Sequence, residues 1–140
     1  MSGTDATLCR TSSVPPRDWR VRLQDIIDAA DRVDRYTVGI DFEAFSQSEL
    51  LADGVTRNIA IIGEAARHVP EEIQVRYPSV PWRLMWDMRN VLIHDYPGVD
   101  LEVVWATIRD DLPPTIARLR EILAAEAQRS AEEHGSTSAS

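Results

Sequence analysis

The sequence predicts an all-α protein, an antiparallel bundle of four to five helices. Three observations predict it. Apolar residues recur at helical spacing in every long segment. No stretch of useful length alternates with a strand period, and there is no internal repeat. Gly39, Pro70, Pro78, Pro81 and Pro97-Gly98 fall between the periodic segments. With 140 residues the chain has room for one domain with a sizeable core, and 44% hydrophobic content argues for a globular fold.

Residues 1–16 are polar and end in Pro15-Pro16, so they read as a flexible leader without the apolar stretch of a secretory signal. The helical domain is placed at 17–129. Its first helix runs from Asp18 to about Tyr36, with Leu23, Ile26, Ile27, Ala30 and Val33 on one face and Gly39 as the stop. The acidic run Asp25, Asp28, Asp31 and Asp34 has the look of a ligand ladder, but Arg32 and Arg35 interleave it, and a solvated face is the better reading. Asp41–Ser46 is a short turn or helix. The second long helix runs from about Ser48 to His68, with Leu51, Val55, Ile59, Ile62, Ala65, Ala66 and Val69 as its buried stripe. His68 caps it and Pro70 ends it.

Glu71–Tyr77 gives one or two turns. Pro81 suits the first position of the third helix, which extends to about Asp95 and is stopped by Pro97-Gly98. A fourth begins at Asp100 and passes through Val103, Val104 and Ile108. Pro113-Pro114 kinks or restarts it, and a last stretch reaches about Gln128. The tail, 130–140, is rich in Ser, Ala and Glu and is expected to be disordered.

Composition narrows the function. All 15 basic residues are Arg, which excludes Schiff-base lysines and the phosphate-loop lysine. Cys9 is the only cysteine, so there is no disulfide framework and no thiolate metal site; no metal or cofactor is predicted. No apolar run approaches the roughly 18 residues that span a membrane, and a cytoplasmic location follows by default. The net charge of −8 counts against a large nucleic-acid footprint, because sequence-independent affinity comes from neutralised phosphates. Residues 81–96 are nevertheless neutral, Arg83 and Arg89 offsetting Asp87 and Asp95, and a local phosphate site fits there. The acidic surface is also compatible with a cationic partner.

The functional signal is Met88–Gly98. It places Arg89, Asn90, His94 and Tyr96 within eight residues at the end of an apolar helix. Charged groups are seldom put near a core without a partner or a purpose, and the chemistry these suit best is work on a phosphodiester. At ~100° per residue the third helix divides into an apolar arc of Leu84, Met88, Val91 and Leu92, a second of Trp82, Trp86 and Ile93 with Arg89 at its edge, and a polar arc of Arg83, Asp87, Asn90 and His94. Two apolar arcs imply burial on two sides, one against the chain's own core and one against another subunit. Trp82, Trp86 and Ile93 are the candidate dimer contacts.

Arg89 and His94 lie about 140° apart on an ideal helix, so one straight helix does not aim both at one point. Either the helix loosens before Pro97, or a symmetric dimer brings Arg89 or His94 of each copy into one cleft. The dimer also answers a chemical need. Cleavage of RNA by its own ribose hydroxyl requires a base for that hydroxyl and an acid for the leaving oxygen. One chain offers one well-placed His, and two chains offer two.

The pattern Arg89-x-x-x-x-His94-x-Tyr96 is preceded by Ile62-Gly63-Glu64-Ala65 and Pro81-Trp82. It is followed by Val99-Asp100, Trp105 and Asp111-Leu112-Pro113. This ordered set, over about residues 18–125, resembles the HepT-like toxins of the HEPN superfamily. The resemblance implies a HEPN-like bundle that forms a homodimer with its motifs at a shared cleft. It implies a metal-independent endoribonuclease acting as the toxin of a toxin–antitoxin pair. The antitoxin it implies is an MntA-like nucleotidyltransferase that AMPylates the motif tyrosine, here Tyr96. A bulky anion two residues from His94 would block the cleft and repel RNA phosphate. Carried over residue by residue, His94 is the general acid/base, Arg89 holds the phosphate and stabilises its developing charge, Asn90 hydrogen-bonds near the same phosphate, and Glu64 orients Arg89. A rival expectation from another class is a non-catalytic helical dimer that binds a nucleotidyltransferase or a nucleotide through the same cleft.

Overall fold

The computed structural model describes residues 18–94 and 100–139, with side chains for 18–89 and 100–133. The described residues form helices joined by short connections, without a strand, as the apolar periodicity predicts. The helices are α1 (Trp19–Thr37), α2 (Phe42–Gln47), α3 (Glu49–Arg67), α4 (Glu71–Arg76), α5 (Trp82–His94) and α6 (Leu101–Ala106). A π-helical turn, Thr107–Asp111, then leads into α7 (Leu112–Ala139).

Most starts are capped by short polar side chains that accept otherwise orphaned N–H groups. Asp18 accepts from Arg20 N, Asp41 from Ala44 N, Ser48 from Leu51 N, and Asp100 from Glu102 N and Val103 N. Pro81 stands one residue before the position expected of it. Its carbonyl accepts Met85 N, so it is the N-cap of α5 rather than the first helical residue.

α3 is the central element, packed on one side against α1 and on another against α5. The buried faces of α1 and α3 are those expected: Leu23, Ile26, Ile27, Ala30 and Val33 from α1, and Val55, Ile59, Ile62, Ala65, Ala66 and the following Val69 from α3. Leu51 is only partly buried. α7 closes the core from the far side of α1 with Ile116, Leu119 and Ile122.

The two-arc reading of α5 does not hold over its described side chains. Trp82, Met85 and Met88 form one buried face, while Leu84 and Trp86, assigned to separate apolar arcs, flank it at 39% and 42% exposure. The cause is the approach of α3, whose Gly63 lets backbone meet backbone at Met85 and aligns the space between the two arcs with the core. Val91, Leu92 and Ile93 lie outside the described side chains. Leu84 and Val103 flank an apolar cleft of about 240 Å³ floored by Ile59, Met88 and Val104.

The α-helix restarts at Leu112, beside Pro113-Pro114, by way of the π-helical turn rather than a break in the chain's helical path. Leu112 N donates to Thr107 O, five residues back, and the wider turn makes room for the proline rings and their missing N–H groups. Beyond Arg129, where the expected tail begins, the backbone stays helical through Ala139. The leader lies outside the described residues.

One carboxylate is buried among the described residues. Glu126 on α7 accepts the Tyr77 hydroxyl and Arg129 Nη1 at 3.2 Å, with Arg76 at 3.7 Å and Arg20 at 3.8 Å. A buried carboxylate needs such company. The node ties the start of α1 and the end of α4 to α7. The Glu126 hydrogen bond pushes the Tyr77 hydroxyl above its ordinary value, and burial adds to the shift.

Candidate active site

The site is assembled where α3 and α5 come closest. On α3 the order Gly63-Glu64 puts an absent side chain beside an ionised one. A Cβ on Gly63 would lie 2.6 Å from Arg89 Cβ and 3.1 Å from Met85 O, so only glycine permits this approach. The next residue, Glu64, then reaches across: its Oε1 lies 3.4 Å from Arg89 Nε. The contact expected between Glu64 and Arg89 is therefore present, as a single-atom pairing at the Nε edge.

That edge matters chemically. A guanidinium has a fork of donors. Arg89 faces Glu64 with its Nε edge as an ion pair, and among the described residues no other carboxylate pairs with it. The side chain is 33% exposed, enough to meet a ligand. Two parallel N–H donors match two oxygens of a phosphate.

Glu64 has a second partner in His68, for which the sequence suggests only a capping role. His68 does cap α3, its backbone N–H donating to Ala65 O and Ala66 O. Its ring also turns back one turn, and Nε2–H donates to Glu64 Oε2 at 2.8 Å. Arg67 Nη1 stands 3.8 Å from Glu64 Oε1. The His68 hydrogen bond, opposed by desolvation and aided by Arg89, holds the Glu64 carboxyl below its ordinary 4.5. A signal for this contact exists in the sequence: Glu64 and His68 are four residues apart and share a helix face.

Of the other residues singled out, Asn90 and His94 have their backbone in α5 but lie outside the described side chains, and Tyr96 lies outside the described residues. Trp82 is 7% exposed, and its indole Nε1–H donates to Tyr77 O at 2.9 Å, so it is spent within its own core. Trp86 is open, with the Arg83 guanidinium 5.8 Å from its ring centre. The acidic ladder of α1 binds neighbours rather than forming a site: Asp28 accepts from Gln24, and Asp31 pairs with Arg120 at 2.7 Å.

The model of the family described as Ribonuclease HepT-like matches residues 26–122. This chain belongs to that family. Within it, the chain is 40% identical over 97 residues to the "Probable ribonuclease HepT" of Thermococcus cleftensis, covering 69% of this chain and 88% of that protein. It is 36% identical over 97 residues to "Putative RNase MJ1380" of Methanocaldococcus jannaschii, covering 69% and 89%. "Putative RNase MJ0125" of the same archaeon is 33% identical over 110 residues, covering 79% and 95%. No solved structure gives a significant match. The matched HepT-like segment contains both Glu64 and Arg89 and all of Met88–Gly98.

Proposed function

We propose that this HepT-like chain is a metal-independent endoribonuclease and the toxin of a toxin–antitoxin pair, acting in the cytoplasm. The observation that carries the reading is Arg89, ion-paired through Nε with Glu64 at a part-exposed position five residues before His94. The relatives named as ribonucleases support it. In the proposed reaction a base takes the proton of a ribose 2′-hydroxyl, and that oxygen attacks the adjacent phosphorus. The bond to the 5′-oxygen breaks as an acid protonates the leaving group. His94 supplies the imidazole, whose unperturbed pKa near 6.5 suits both roles. Arg89 balances charge on the five-coordinate phosphorus, and Asn90 hydrogen-bonds beside it.

A symmetric homodimer supplies the second imidazole. Its contact falls to Trp86 and Ile93, since Trp82 is committed to its own core. Tyr96 is the switch: an MntA-like nucleotidyltransferase would place AMP there and shut the cleft by bulk and charge. The net charge of −8 favours a second reading, a non-catalytic dimer that binds the nucleotidyltransferase or a nucleotide.

Purified protein incubated with RNA in EDTA separates the two. Cleavage that disappears in His94→Ala and in Arg89→Ala supports the enzyme, and intact RNA after incubation with unmodified protein rejects it. Intact mass after co-expression with the nucleotidyltransferase tests the switch. Increments of AMP lost in Tyr96→Phe are expected, and an unchanged mass overturns AMPylation.

A further inference from the structure

We propose that His68 is a positioning residue for Arg89, acting through Glu64; the inference rests on the reading of Arg89 as the phosphate-holding group. The Glu64 carboxylate has its two oxygens assigned to different partners. Oε2 accepts His68 Nε2–H at 2.8 Å, and Oε1 faces Arg89 Nε at 3.4 Å. A competitor stands on the same helix: Arg67 Nη1 is 3.8 Å from the same Oε1. Glu64 is nearly half exposed, so water competes as well.

A carboxylate with one partner rotates about its last bond, whereas one held at both oxygens does not. Oε2 is held by His68, and that bond is the shorter of the two contacts that matter. The ring is carried by the helix cap, so its place is set by the end of α3 rather than by a loose loop. With the imidazole in position, Oε1 is left facing α5, and the Nε edge of Arg89 is paired with it. Without it, Glu64 turns toward Arg67 or solvent, and Arg89 samples several rotamers.

Exposed ion pairs add little to stability. The effect therefore falls on orientation, and a misdirected group costs rate rather than fold. His68→Leu is expected to lower kcat/KM for RNA cleavage about three- to tenfold, with only a small fall in the midpoint of thermal unfolding. His68→Gln keeps an N–H donor at similar reach and is expected to recover most of that loss. In a Glu64→Gln background, His68→Leu should add nothing, because its route to Arg89 is already cut.

A spectroscopic arm keeps this test apart from the ribonuclease reading. The Arg89 Nε–H resonance, assigned by its loss in Arg89→Lys, should move in His68→Leu toward its position in Glu64→Gln. An Arg89 signal that stays in place in His68→Leu but moves in Glu64→Gln overturns the relay, whether or not the protein cuts RNA. So does an equal loss of rate from His68→Leu in both backgrounds. If the protein cuts no RNA yet the signal moves as expected, the relay stands and the ribonuclease reading alone fails.

Discussion

Gly63 lies against Arg89 so closely that a Cβ on the glycine would fall 2.6 Å from the arginine's own Cβ. The contact is between the roots of two side chains, where neither can swing away, and Met85 O closes the space from the other side. Gly63→Val must therefore push α3 and α5 apart. Overpacking of this kind costs about 1–3 kcal/mol, and the displaced Arg89 no longer meets Glu64. Lower stability in urea together with loss of RNA cleavage is expected; a variant as stable and active as the parent would show that the approach is dispensable.

Arg89→Lys should be almost as damaging as Arg89→Ala. Lysine offers a point charge where arginine offers a planar fork of donors with its Nε edge toward Glu64. Loss of a donor to developing charge costs on the order of 10²–10³ in rate. Single-turnover cleavage rates measure it, and recovery to near parental rate by lysine would mean that charge alone suffices.

The lowered Glu64 pKa has a sign that can be checked. Its folded value lies below the ordinary 4.5, chiefly through the His68 hydrogen bond. The ionised carboxylate thus contributes stability above about 4.5, and that contribution is lost as pH falls through the lowered folded value. The stability difference between parent and Glu64→Gln should be constant near neutrality and shrink toward zero in acid. Chemical unfolding at several pH values reads this. A difference that grows on acidification contradicts the pairing.

Tyr77 and Glu126 make the opposite case. The Glu126 hydrogen bond raises the Tyr77 pKa above its ordinary 10.0, so the neutral phenol is favoured in the fold. Its contribution is present below about 10 and is lost as pH rises through the raised folded value. Tyr77→Phe removes the hydroxyl donor to a buried carboxylate and should destabilise by about 1–3 kcal/mol. The gap between parent and variant should close only in strong alkali. Equal stability at neutral pH would mean that the arginines satisfy Glu126 unaided.

Trp86→Glu addresses assembly. Trp86 is 42% exposed on the helix that carries Arg89. If the proposed dimer forms through this face, a charge there should shift sedimentation toward a single chain, and RNA cleavage should fall with it, because the proposed second imidazole is lost. A variant that sediments as the parent does would move the dimer contact elsewhere.

The helices themselves are legible in the sequence because apolar spacing, caps and breakers are local properties. α1 and α3 have the buried faces their periodicity predicts, and Asp18, Ser48 and Asp100 cap where short polar residues precede apolar runs. The Glu64–Arg89 pairing is not legible in helical periodicity, since the two residues lie far apart in the chain and on different helices.

Packing between helices decided the rest. Which side of α5 is buried depends on where α3 can come nearest, and Gly63 sets that point, so Trp82 is enclosed while Trp86 is left open. Pro113-Pro114 reads as a kink or a restart because a proline ring removes a helical hydrogen bond; the α-helix restarts at Leu112, and packing added the widened Thr107–Asp111 turn that accommodates the rings. His68 reads as a cap alone; its second role depends on a carboxylate that also faces another helix. The chain by itself determined its helices, its caps and the motif they carry. Only the tertiary structure decided which atoms of Glu64 and Arg89 meet and that His68 joins them, because such contacts depend on small differences in helix separation that no local pattern encodes.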